Sequence, residues 1–76
     1  MNNTRRKGID QQISALEELR TEIENLRDEE QEYFDNMPEG LQGGDKGQMA
    51  EQAVSELDSA LSAIEEAIAA LENAKE

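Results

Sequence analysis

The chain contains no cysteine, no histidine and no tryptophan. Without cysteine there is no disulfide framework and no thiolate metal site. Without cysteine or histidine there is no Ser–His–Asp or Cys–His nucleophile pair. Any metal site would have to be built from carboxylates alone, an unusual choice for zinc, and the spacing of a calcium-binding EF-hand loop is missing around Asp35, Glu39 and Asp45. Two carboxylates can serve as acid and base in glycoside hydrolysis, but one must sit in a pocket that raises its pKa. A 76-residue chain of 8.5 kDa has no room for such a pocket. The expectation is a protein that is not an enzyme and carries no cofactor. Proline occurs once, and tyrosine and phenylalanine once each, so a wide aromatic core is excluded. No apolar run approaches the ~20 residues that cross a bilayer. The basic start Arg5-Arg6-Lys7 leads into the polar stretch Gly8-Ile9-Asp10-Gln11-Gln12 rather than the apolar stretch of a secretion signal. A cytoplasmic protein without membrane contact is expected.

Positive charge is also scarce. Seven Lys and Arg stand against 19 Asp and Glu, for a formal net charge of −12. Three of the seven cations are Arg5, Arg6 and Lys7, so the rest of the chain is more acidic still. Nucleic acids attract proteins through Lys and Arg, and this body would be repelled. No direct DNA or RNA binding is expected. An acidic mimic of nucleic acid is the converse possibility, beside the simpler reading of a surface that keeps a small protein dispersed.

What the chain has is helical periodicity. Ile9, Ile13, Leu16, Leu19, Ile23, Leu26, Tyr33 and Met37 recur in steps of three, four or seven. Written as heptads, Gln12, Leu19, Leu26 and Tyr33 fall in one core column beside Ile9, Leu16 and Ile23. Asn3 or Thr4 would cap this helix, predicted over about 4–35. A break follows over about 36–45, with the sole proline, Pro38, and the pair Gly43-Gly44 to let the backbone turn. Met37 and Leu41 are expected to tuck under this turn. Asp45 with Gln48 fits the first-turn capping pattern of a second helix over about 46–74. That helix carries Ala50, Val54, Leu57, Leu61, Ile64, Ile68 and Leu71, with a flanking column of Ala53, Ala60, Ala67 and Ala74.

Two helices of similar length joined by a short break predict an all-α, coiled-coil-like antiparallel hairpin as a single domain. Antiparallel pairing brings Arg27 toward Glu51 or Asp58, and Arg20 toward Asp58 or Glu65. Two helices side by side leave part of each apolar stripe wet, so a helical-bundle homo-oligomer is expected, with Ala53, Ala60 and Ala67 at its interface. A head-to-tail assembly would bring the Arg5-Arg6-Lys7 arm of one copy to Gly43, Gly44 and Lys46 of the next. There it would form a positive concavity for a phosphate-bearing ligand, or the arm would pair with Glu39 and Asp45 and only lock the assembly. Tyr33, Phe34 and Asn36 are candidate anchors for a partner protein, or else they close the loop end of the core.

The segment from Arg27 to Gln42, with its Glu-rich run and the corner Asn36-Met37-Pro38-Glu39-Gly40-Leu41-Gln42, resembles short uncharacterised two-helix proteins of bacteriophages and prophages. Those proteins tend to have Ser-Glu-Arg before the second helix, where this chain has Gly43-Gly44-Asp45-Lys46. The resemblance implies a phage origin and no assigned activity. By association it implies a counter-defence role in the host cytoplasm, through occlusion of a host defence protein or sequestration of a small nucleotide signal. A purely structural oligomerisation module is the remaining alternative.

Overall fold

A computed structural model describes every residue, Met1–Glu76, and the chain is all-α. Helix α1 spans Asn3–Asp35, a single turn α2 spans Glu39–Gln42, and α3 spans Asp45–Ala74. The cap of α1 lies one residue earlier than expected. Asn2, extended at φ −80° and ψ 165°, accepts the Arg5 N–H on its side-chain oxygen at 2.8 Å. Asn is among the best N-cap residues for this bond, and it leaves Asn3 and Thr4 free to be helical.

At the other end of α1, Asn36 donates its N–H back to Glu32, and Met37 donates to Phe34. Pro38 cannot continue the helix. Its carbonyl instead accepts the N–H groups of Leu41 and Gln42, which starts the α2 turn inside the predicted loop. The Gln42 amide donates to the Phe34 carbonyl at 3.1 Å and ties α2 to the end of α1. Leu41 does not tuck under the corner as expected. It is 61% exposed, whereas Met37 is half-buried.

The corner uses glycine differently from the expectation. No residue has positive φ, and Gly43 and Gly44 sit at φ −82° and −86°, open to any residue type. Gly47 is the position that demands glycine. A Cβ there would fall on the Gln42 carbonyl oxygen, with the carbonyl carbon at 2.5 Å and Cα at 2.7 Å. Buried Gly47 therefore lets α2 lie directly on the first turn of α3. The N-cap of α3 is Gly44 without a side-chain bond, and Asp45 is already helical. Its carboxylate acts on the helix dipole rather than as a cap. The Gln48 amide donates back to the Gly43 carbonyl at 3.2 Å.

Helices α1 and α3 run antiparallel in a body of 59 × 15 × 12 Å. Two ion pairs fix their heights: Arg27 Nε to Asp58 at 2.9 Å and Lys75 Nζ to Asp10 at 2.8 Å. In both pairs the residue numbers total 85, so any α1 residue has its α3 counterpart at the same height by that relation. Arg27 thus meets Asp58 and not Glu51, while Arg20 makes no ion pair with Asp58 or Glu65. Burial is thin. Ile13, toward the terminal end, and Ala50 and Val54, toward the loop end, are the only buried hydrophobic residues.

Candidate interaction surface

The open face of the hairpin is set by unequal side chains at equal heights. By the relation the two ion pairs define, Leu19, Leu26 and Tyr33 of α1 lie within about a residue of Ala67, Ala60 and Ala53 of α3. A methyl group is too short to cover a Leu or Tyr on the neighbouring helix. Leu19, Leu26 and Tyr33 consequently stay 48%, 55% and 50% exposed. These residues belong to a core column by periodicity alone, yet the facing helix offers nothing large enough to bury them. Met49, 70% exposed, extends the same face toward the loop. Its concave parts are two shallow hollows, one between Leu26, Glu30, Tyr33 and Leu57, the other between Tyr33, Lys46, Met49 and Ala53.

The other face is better closed. Phe34 is half-buried there beside Gln31, Val54 and Asp58. Successive helix residues point about 100° apart, so the neighbours Tyr33 and Phe34 serve different faces and form no single anchor. Arg27 crosses this second face between Asp28 at 3.0 Å and Asp58 at 2.9 Å. Hydrogen bonds, first to Asp28 and then to Asp58, hold its guanidinium above the usual arginine pKa.

The terminal end carries the basic arm. Arg6 donates from Nε to the Lys75 carbonyl at 2.9 Å, satisfying a free carbonyl at the end of α3. Lys75 itself pairs with Asp10 and, at 3.3 Å, with Glu72. Those bonds, Asp10 first, raise the Lys75 pKa above its ordinary 10.5. Arg6 is therefore engaged within the chain, a role that periodicity does not reveal because it joins residues 69 apart. Arg5 and Lys7 remain exposed, and their side chains make no hydrogen bond or ion pair.

Asn36, Gly43, Gly44 and Lys46 all lie at the loop end of the 59 Å body, exposed to solvent. The arm and these residues do not meet within one chain, so a site containing both needs a second copy. No group of three or more acidic side chains is arranged to hold a metal ion. No helix is long and apolar enough to cross a membrane. No family model matches the chain, and no curated protein or solved structure matches it.

Proposed function

We propose that this protein is a non-catalytic binding module that works as a homo-oligomer, assembled through the face carrying Leu19, Leu26 and Tyr33 with Ala53, Ala60 and Ala67. The observation that carries the reading is the row of half-exposed large apolar side chains on a hairpin with three buried hydrophobic residues. Such a body lacks a core of its own, and covering that row supplies one. The hollows on the face are shallow and open, which suits a macromolecular surface better than a small molecule. With the resemblance to short phage proteins, the biological task is counter-defence by occlusion of a host protein in the host cytoplasm, the assembled body acting as the obstruction.

The test is sedimentation equilibrium at micromolar concentration. The expected result is a species at twice the 8.5 kDa chain mass or larger, and a folded monomer refutes the proposal. Leu26→Glu should weaken association by at least about tenfold, since a buried unpaired carboxylate costs well over ~1.4 kcal/mol. Leu26 is 55% exposed in the single chain, so the assembled variant should keep the helix content of the wild type and lose it on dilution at a higher protein concentration.

A further inference from the structure

We infer that the occupant of the open face is a second copy of the chain pointing the same way, with α1 of each copy lying over α3 of the other. This rests on the oligomeric reading above and adds the symmetry of the assembly and its contacting pairs.

The face is a ladder of three rungs: Leu19 with Ala67, Leu26 with Ala60 and Tyr33 with Ala53. Seven residues separate successive rungs on each helix, about 10.5 Å at ~1.5 Å per residue. Every rung has its large side chain on α1 and its small one on α3. Two face-to-face arrangements with two-fold symmetry are open to such a surface. A two-fold axis along the helices lays α1 on the partner's α3 and keeps each rung at its own height. Leu19 then meets the partner's Ala67, Leu26 the partner's Ala60, and Tyr33 the partner's Ala53. A two-fold axis across the helices lays α1 on α1 and α3 on α3, reversing the rungs about Leu26. Leu26 then meets its own counterpart, Leu19 meets the partner's Tyr33, and alanine meets alanine.

Two arguments select the first arrangement. Close packing needs large side chains opposite small ones, so that the layers interdigitate. The axis along the helices supplies this at all three rungs. The crossing axis sets large on large along one helix pair and small on small along the other. The second argument is area. Copies pointing the same way overlap along their whole length, and a 59 × 15 Å side has an outline of about 900 Å² available for contact. A stable interface needs about 800 Å² from each partner. Reversal about Leu26 overlaps only the loop-proximal part of each body. That part lies between Leu26 and the corner, together with an equal span on the other side, and Arg5, Arg6 and Lys7 overhang beyond the partner. The first arrangement gathers both basic arms at one end, where Arg6 and Lys75 already have partners within their own chains. The arm then stays away from Gly43, Gly44 and Lys46 of the partner, so no composite phosphate site forms.

The absence of cysteine from the chain makes cross-linking a clean test. Leu26→Cys and Ala60→Cys would be purified separately, checked for association by sedimentation, and oxidised mildly alone and as an equal mixture. The inferred arrangement places these two positions across the interface, within reach of the 4.4–6.8 Å Cα separation of a disulfide, about one side-chain layer. The mixture should then yield at least about fivefold more covalent dimer than either variant alone, as heterodimer. Leu19→Cys with Ala67→Cys repeats the test one rung away, so a fault in one variant does not decide it. Rapid cross-linking of Leu26→Cys alone shows the reversed arrangement and overturns this inference while leaving the oligomeric reading intact. Failure of the wild-type chain to associate overturns both.

Discussion

Replacing Gly47 by alanine puts a methyl group where the backbone of Gln42 passes. The Gln42 carbonyl carbon and Cα would lie 2.5 and 2.7 Å from the new Cβ, and ordinary contact begins near 3.4 Å. The carbonyl oxygen lies closer still, so relief requires α2 to move by well over 1 Å relative to α3. The obstacle is backbone, so no rotamer change removes it. Forced overpacking of this kind costs about 1–3 kcal/mol. Alanine returns up to ~1 kcal/mol through its better helix propensity. The cost also has a ceiling, because α2 is one exposed turn whose main tie is the Gln42 bond to Phe34. The net expectation is a loss of about 1–2 kcal/mol, or roughly 4–15 °C in Tm for a domain of this size. Gly43→Ala is the control. It meets open space at φ −82° and should be neutral or stabilising by up to ~1 kcal/mol. Urea denaturation of both variants at one fixed protein concentration separates the two effects. A Gly47→Ala protein as stable as the Gly43→Ala protein would refute the close approach of α2 to α3.

The charges of the chain make three further predictions. Lys75 has a pKa raised by Asp10 and Glu72, so its clamp contributes fully below the ordinary value of 10.5 and is lost as pH rises through the higher folded value. The urea midpoint of the wild type should therefore fall further than that of Lys75→Met between about pH 9 and about pH 11.5, and equal declines would refute the clamp. Arg27→Ala and Asp58→Ala should each lower the urea midpoint slightly, with a non-additive double variant, whereas Arg20→Ala should leave it unchanged because Arg20 has no partner. The self-repulsion of a net charge of −12 should make added salt raise Tm, and a Tm that falls with salt would place the cross-helix ion pairs above the repulsion.

The hairpin was legible because its signals are local. The three-and-four spacing of apolar residues, the solitary Pro38 and the Gly-rich stretch before α3 each act over a few residues. The pairing of Arg27 with Asp58 was also within reach, since it follows from counting along two antiparallel helices. Details of the corner were not. Gly43-Gly44 looked like the turn, yet both have ordinary backbone angles, and the required glycine is Gly47. That need arises from the approach of Gln42, a tertiary contact without a local signature. Arg6 looked like part of a free basic arm, but its bond to the Lys75 carbonyl exists only after the chain ends are brought together. The Leu19, Leu26 and Tyr33 column read as core because periodicity shows which side faces the neighbouring helix, not whether the neighbour is tall enough to cover it. The alanine column already held that answer, once the two helices were placed at matched heights.

The thinness of the single-chain core makes folding a collective property under the proposed assembly. A domain with a full core keeps its shape at any dilution. Here the solitary hairpin shelters Ile13, Ala50 and Val54 and little else, so in that assembly the remainder of its stability would be drawn from a neighbour and would scale with how many neighbours there are. Abundance would then set form. Above a threshold number of copies per cell the chains would hold one another folded, and below it they would open and become substrates for proteolysis. A protein assembled in this way would carry its own dosage switch. It would persist during a burst of synthesis and vanish soon after synthesis stops, with no dedicated signal needed to remove it.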